Sequence, residues 1–426
     1  MSMIAEKSTL TQTLLHQLSS NGAKVPFIQE KVLIEALQYL EENGIPNNKT
    51  EDYKYCNVEA ILKKEFQNIG QKFNSEFKKD WLSSKDSITL VLLNGNFSPE
   101  LSDDFEKEKI LVSAFSKLDA QQAASIAKLA LVNKDAFIAL NTAFSNDGLF
   151  IEIQKDTKLE KPIRILNVVN LSSEAFLNTR HFIHLNEGAE AVVLLETSYT
   201  GEHKVFVNSI SERKLEKGAH LTAIELQNES PKLYSVNTVN ATLDREAVYD
   251  CTSISTGAQL IRNNHNVSLN GEYAAAHLYG LLAANGTQLI DNHTLMDHRV
   301  PNCESNELYK GIANGKSTGV FNGKIFVQPH AQKTNAYQSS KNILLSDEAS
   351  IYTKPQLEIY ANDVKCSHGT STGKIDESAL FYLKARGIGE ENAKKLLLQA
   401  FAGEVIQHLA TEELQDRVAN LFENTL

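Results

Sequence analysis

The sequence predicts a mainly β protein in which a parallel β-helix core is flanked by helical domains at both ends. From about residue 149, short β-rich apolar runs alternate with tight turns, and few segments have a helical period. Similar turns place alanine at Ala189, Ala219 and Ala247, in steps of 30 and 28 residues, and later glycines recur in steps of 14 and 15. A drifting repeat of strands and turns is typical of a solenoid.

The size of the repeat fits this architecture. A half-coil of 14 or 15 residues holds one strand of about 5–8 residues and a turn. Two half-coils make one coil, and stacked coils form two opposed parallel sheets around an apolar interior. The alternation in residues 191–195 and 220–226 supplies inward-facing side chains. An antiparallel sandwich with coincidental turn spacing is the alternative interpretation.

The region before the repeat, residues 1–148, is predicted to be a mostly helical domain. Apolar residues recur at three- and four-residue spacing in residues 28–40, and Gly44 ends that helix. The alanine-rich residues 119–131 predict a second helix. Between them, residues 87–93 predict a buried strand that ends at an Asn-Gly turn.

The β-helix is predicted to span residues 149–366, and residues 367–426 to form a helical domain. Helices are expected over residues 376–386, 390–409 and 411–421, the first with acidic residues early and basic residues late. We expect this tail to cover the open end of the β-helix, where the last coil would otherwise expose an unpaired edge.

The second of these helices has more apolar residues than one buried stripe requires. Some should cover the β-helix, and others should remain available to a partner. The residues predicted to bind a partner are Leu396, Leu397, Phe401 and Val405.

Composition excludes several classes of protein. The 426-residue chain carries a formal net charge of −11, which disfavours nucleic acid and anionic membranes as partners. No apolar run approaches the roughly 18 residues needed to cross a bilayer, and the N-terminus lacks the pattern of a signal peptide. A cytoplasmic location is therefore expected. The four cysteines are dispersed without a C-x-x-C pair, which favours neither a disulfide framework nor a structural zinc site.

Two motifs resemble binding sites but are interpreted as structural. Residues 311–317 have three residues between their glycines, whereas a phosphate-binding P-loop needs four, so we predict a turn and no ATP site. Residues 291–303 contain Asp, His and Cys at close spacing, but their β context predicts an outward polar row followed by a turn at Pro301.

A third motif pairs Cys366 with His368. Residues two apart on a strand point to the same face, with Cα atoms about 6.6 Å apart. A thiolate and an imidazole at this spacing could bind one iron or zinc ion, and a partner would have to supply further ligands. An ordinary surface is the alternative interpretation.

The C-terminal third resembles the SufB/SufD family of iron–sulfur cluster assembly proteins. The runs that carry this resemblance are VFNGKIFVQPHAQKTNAYQSSKNILL (320–345), KPQLEIYANDVKCSHG (354–369) and LFYLKARG (380–387). Residues 45–55 resemble the entry segment of the SufD branch, although Tyr53 stands where that branch commonly has Trp. The SufD branch is also favoured by Cys-Ser-His at 366–368 and by the lack of the cysteine-rich N-terminal segment typical of SufB.

The resemblance implies a right-handed parallel β-helix that acts as a non-enzymatic scaffold subunit. It implies a complex with a SufB-like paralogue at the end of the β-helix and with a SufC-like ABC ATPase at the C-terminal helices. His368, and with it Cys366, would lie where a transient iron–sulfur cluster forms against the paralogue. Flavin binding and homodimerisation of the isolated chain are left open. The alternatives are a β-helix carbohydrate-active enzyme, of lyase or glycosidase type, and the SufB paralogue itself.

Overall fold

The computed structural model describes residues 12, 27–66, 86–199, 201–228 and 230–425. Its helices are α1 (Glu30–Asn43), α2 (Val58–Glu65), α3 (Ala120–Ala123), α4 (Ala136–Phe144), α5 (Glu377–Ala385), α6 (Glu390–Ile406) and α7 (Glu412–Thr425). Its strands are β1 (Ile88–Leu93), β2 (Asn96–Ser98), β3 (Ile110–Ala114), β4 (Leu149–Ile153), β5 (Ile163–Val169), β6 (Ala175–Leu185), β7 (Glu190–Tyr199), β8 (Val205–Leu215), β9 (His220–Asn228), β10 (Leu233–Leu243), β11 (Val248–Thr256), β12 (Leu260–Leu269), β13 (Ala275–Ala284), β14 (Leu289–His298), β15 (Glu304–Ala313), β16 (Thr318–Val327), β17 (Thr334–Leu344), β18 (Ser350–Ile359) and β19 (Val364–Gly373).

From β4 onward, successive strands alternate between two opposed sheets, which confirms the predicted parallel β-helix. The first sheet has the order β19-β17-β15-β13-β11-β9-β7-β5-β1-β2, and the second has the order β18-β16-β14-β12-β10-β8-β6-β4-β3. Strands pair in parallel through both sheets except for the antiparallel pairs β1–β2 and β3–β4. Neighbouring strands of the β-helix sheets from β4 onward are therefore two strands apart in the chain and belong to consecutive coils. Each inward residue stacks on a counterpart from the preceding coil.

The repeating turns stack as the sequence predicts. Ala189, Ala219 and Ala247 are fully buried, one in each of three consecutive coils of the first sheet. The His220 N–H donates to the Ala189 carbonyl at 2.8 Å, and the Val248 N–H donates to the Ala219 carbonyl at 2.9 Å. The three alanines therefore occupy comparable turns of stacked coils.

The N-terminal region covers the outer face of the second sheet. Phe137 of α4 packs against Phe206 of β8, and the same apolar cluster includes residues of α1 and α2. The region is less helical than predicted, because it also contributes β1, β2 and β3 to the two sheets. The helix predicted for residues 119–131 ends at Ala123, which makes that prediction wrong over most of its length.

The C-terminal helices lie across the outer face of the first sheet. Ala402 and Val405 of α6 join Leu281 and Ile312 of the sheet in one buried cluster. The fully buried Lys310 donates to the Phe401 carbonyl at 2.8 Å and pairs with Glu404 at 2.8 Å. The prediction that this tail covers the end of the β-helix is therefore wrong: its apolar stripe matches the broad face of the sheet.

The three helices of this tail begin close to their predicted positions. The Asp376 side chain accepts from the backbone N–H groups of Ser378 and Ala379, which caps the start of α5. Gly387, with φ of 87°, ends that helix. The last strand, β19, continues past the boundary predicted at residue 366 and ends at Gly373.

Candidate functional site

The candidate site is the open end of the β-helix, where β18 and β19 form the last coil. Each is the terminal strand of its sheet, and within the described part of the chain no further strand pairs with either. Most side chains of β19 are exposed, and those of β18 are partly exposed. The backbone N–H and C=O groups on the free side of both strands are therefore available to another strand.

Cys366 and His368 lie on the same face of β19, at the mouth of the β-helix interior. Cys366 is half-buried and packs against the interior apolar cluster, so its side chain points inward. Strand alternation places His368 on the same side, one step further along the strand, and that residue is exposed. Burial raises the pKa of the Cys366 thiol, so a metal ion bound there would have to displace its proton.

Cys366 and His368 are too few ligands to hold a metal ion on their own. A thiolate and an imidazole are good ligands for iron or zinc, but such ions are held in proteins by three or four side chains. The end of a β-helix is open to a partner, which could supply the rest. Whether these two residues bind metal stays a prediction.

A row of interior residues leads from the open end into the β-helix. The strand register places Cys251, Leu278, Glu307, Gln338 and His368 at equivalent positions of consecutive strands in the first sheet. Gln338 Nε2 donates to Glu307 Oε1 at 3.1 Å, and burial raises the pKa of Glu307 to about 7. Sequence reasoning missed this buried pair. The available signal was a Glu at an inward position between Ser305 and Tyr309.

The two motifs interpreted as structural have structural contacts. Asp291 is buried, pairs with Arg262, and lies 2.9 Å from the Nε2 of His293. The Arg262 guanidinium also stacks on Tyr53 of the N-terminal region, at 3.8 Å from the ring centroid. These residues therefore fasten the N-terminal region to the outer face of the second sheet.

The motif at 311–317 ends β15 with its first three residues, and residues 314–317 form the predicted turn to β16. β15 ends at Ala313 and β16 begins at Thr318, so no helix follows the glycines. Lys316 pairs with Glu348 of the next coil at 2.9 Å. A P-loop would instead place its backbone N–H groups at the start of a helix.

The packing of α6 buries some of the residues predicted to bind a partner and leaves others exposed. Val405 is fully buried, Phe401 and Leu397 are half-buried, and Leu396 is 45% exposed. Val405 is therefore a core residue and is inaccessible to a partner, because its helix face lies on the sheet.

Sequence reasoning missed Phe381 and Tyr382 of α5, which are 73% and 58% exposed. We call Phe381, Tyr382 and Leu396 the hairpin surface.

None of the helices that the structure describes is long and apolar enough to span a membrane.

Fold and site together define a parallel β-helix protein whose unpaired end presents a cysteine and a histidine on one face of its last strand. A family model described as "SUF system FeS cluster assembly, SufBD core domain" matches residues 168–401, and the model of the SufBD N-terminal region matches residues 23–165. The chain belongs to this family of iron–sulfur cluster assembly proteins.

Among the members of the family, the chain is SufD-like. It is 30% identical to the iron–sulfur cluster assembly protein SufD of Escherichia coli over 98% of this chain and 97% of that protein. It is 28% identical to a SufBD family protein of Synechocystis, over 94% of this chain and 93% of that one. It is also 28% identical to the chloroplastic protein ABCI7 of Arabidopsis thaliana, over 96% and 89% of the two chains.

Proposed function

We propose that this chain is a non-enzymatic scaffold subunit of a SUF iron–sulfur cluster assembly complex. Its open end pairs with a second β-helix of the SufB type, and the hairpin surface of its C-terminal helices docks an ABC ATPase of the SufC type. The observation that carries the proposal is the combination of an unpaired final coil with Cys366 and His368 at its mouth. The cytoplasmic location and the absence of an ATP site stay predictions.

The exposed edge supports pairing with another chain. Soluble proteins usually protect a long edge strand, and ten-residue strands such as β18 and β19 would otherwise risk uncontrolled association. Tyr337 and Tyr360, beside this end, are 42% and 59% exposed. Exposed aromatic residues next to a free strand edge are typical of an interface, because they contribute contact area at little entropic cost.

Iron and sulfide are the cargo of this proposed interface. Two donors from one subunit and further donors from the paralogue would complete the coordination only in the assembled complex. A site divided between subunits holds its cargo weakly when either subunit is alone. It can therefore form a cluster and release it.

Replacing His368 by alanine should lower the iron and acid-labile sulfide content of the purified complex by about tenfold, the lower end of the loss expected for a disturbed metal site. His368 is exposed and lies on the terminal strand, so its truncation removes a ligand without opening a cavity. Assembly and ATP hydrolysis should be retained. Sulfide is the decisive readout, since it distinguishes a cluster from a single metal ion.

The matched control is Ser367→Ala, which changes the neighbouring exposed residue on the opposite face of β19. This variant should keep the sulfide content of the unmodified complex. An undiminished sulfide content in His368→Ala would contradict the assignment of His368. The same loss in both variants would show that the interface as a whole, and not this ligand, was disturbed.

A further inference from the structure

Three residues with metal-ligating side chains converge inside the β-helix, away from its open end. Glu225 of β9 and Cys251 of β11 come from the first sheet, and His265 of β12 comes from the second. All three are at most 4% exposed. Their carboxylate, thiol and imidazole ligand atoms lie within 4.8 Å of one another.

The distances between these atoms are close to those that a bound ion requires. His265 Nε2 lies 3.1 Å from Glu225 Oε2 and 3.9 Å from Cys251 Sγ. Tetrahedral zinc, with its usual bonds to nitrogen, oxygen and sulfur, would hold such ligand pairs about 3.4–3.6 Å apart. Shifts of a few tenths of an ångström would therefore bring each of the two pairs that involve His265 to the spacing of zinc ligands.

The surroundings hold the ligands in place. Arg213 Nη2 donates to Glu225 Oε1 at 2.5 Å, which leaves Oε2 directed at His265. Arg213 also donates to the Tyr249 hydroxyl and lies 3.9 Å from Cys251 Sγ. Hydrogen bonds of this kind orient the ligands in metal sites and are part of their construction.

Glu225 and His265 form a buried ion pair when no metal is bound, because the carboxylate raises the pKa of the His265 imidazole to about 10. An ion bound here would have to displace that proton.

We propose that Glu225, Cys251 and His265 bind a single divalent transition-metal ion, of which Zn²⁺ is the best match to this ligand set. The site differs from the one at the open end. Cys251 and His368 share a register row but lie four strands apart, or about 19 Å at the usual strand spacing. The internal site is complete in one chain, whereas the proposed cluster site needs a partner.

The test uses the isolated full chain, refolded with Zn²⁺ or Co²⁺ under reducing conditions because the site is buried. Elemental analysis should find about one metal ion per chain after exchange into metal-free buffer. The Co²⁺ form should show a thiolate-to-cobalt charge-transfer band. Cys251→Ser and His265→Gln should each lower the retained metal at least tenfold, and Cys303→Ser, at a buried thiol whose neighbour is the Gly271 carbonyl, should retain it.

Single substitutions of the other cysteines identify the thiolate ligand even if Cys251→Ser fails to fold. The single variants Cys56→Ser, Cys303→Ser and Cys366→Ser should all keep the cobalt band, which leaves Cys251 as the source of the thiolate. A folded chain that retains no metal would overturn the proposal, and the three residues would then be an ion-pair network. Loss of the band in any of the three control variants would also overturn it.

Discussion

Replacing Glu212 by alanine should lower the free energy of unfolding by about 3–5 kcal/mol, the usual effect of removing one partner from a buried ion pair. Glu212 of β8 is fully buried and pairs with the equally buried Arg180 of β6 at 2.8 Å. Its carboxylate also accepts three backbone N–H groups of the N-terminal region. The variant would leave a buried guanidinium without its carboxylate and three backbone donors without an acceptor.

Thermal and denaturant unfolding of the isolated chain would measure this effect. The control is Glu187→Ala, which removes the carboxylate from an exposed pair with Lys155 on the same β-helix. That change should leave the free energy of unfolding almost unchanged, because water and salt screen an exposed ion pair. A loss of similar size in the two variants would contradict the importance assigned to the buried pair.

The double substitution Phe381→Ala and Tyr382→Ala should weaken binding of a SufC-type ATPase about 100-fold, because two aromatic anchors of about 2 kcal/mol each would be lost without full additivity. This expectation depends on the proposed function. Phe381 and Tyr382 are the most exposed large apolar side chains of α5, and the buried face of this helix is provided by Leu380. Their truncation should therefore leave the C-terminal helices folded on the first sheet.

Isothermal titration of the ATPase into each variant would measure the change in affinity, with circular dichroism as the check on folding. Tyr273→Ala is the matched control, since Tyr273 is 54% exposed in a turn of the β-helix that is remote in sequence from the hairpin surface. The control should bind as the unmodified chain does. Unchanged affinity in the double variant would show that the ATPase docks elsewhere.

Local pattern was enough to predict the parts of the fold that repeat. The turns at Ala189, Ala219 and Ala247 are set by neighbouring residues, and each coil makes the same hydrogen bonds to the next. The same-face placement of Cys366 and His368 likewise follows from the two-residue period of a strand.

Contacts between distant segments could not be predicted in this way. Residues 119–131 have a helical composition, but the backbone N–H groups of Ala127, Leu129 and Ala130 donate to Glu212, far along the chain. Those donors are then unavailable for helical hydrogen bonds. A strong tertiary acceptor therefore overrides local propensity.

The contacts among the interior polar residues could not be predicted from the sequence for a related reason. Glu225, Cys251 and His265 come from three strands and two sheets, so nothing in their sequence spacing resembles a metal motif. Only the register of the coils shows which inward residues meet. The same holds for Glu307 and Gln338, which become neighbours through the pairing of β15 with β17.

Hydrogen exchange of the β19 backbone tests whether a second β-helix completes the final coil. In the isolated chain, the amides of Val364–Gly373 on the free side of the strand should exchange rapidly. In the complex with a SufB-type partner, we expect their exchange to slow by about 100-fold or more, as amides do when they enter a β-ladder. Unchanged exchange across β18 and β19 in a complex shown to be intact would mean that no second β-helix pairs with this end.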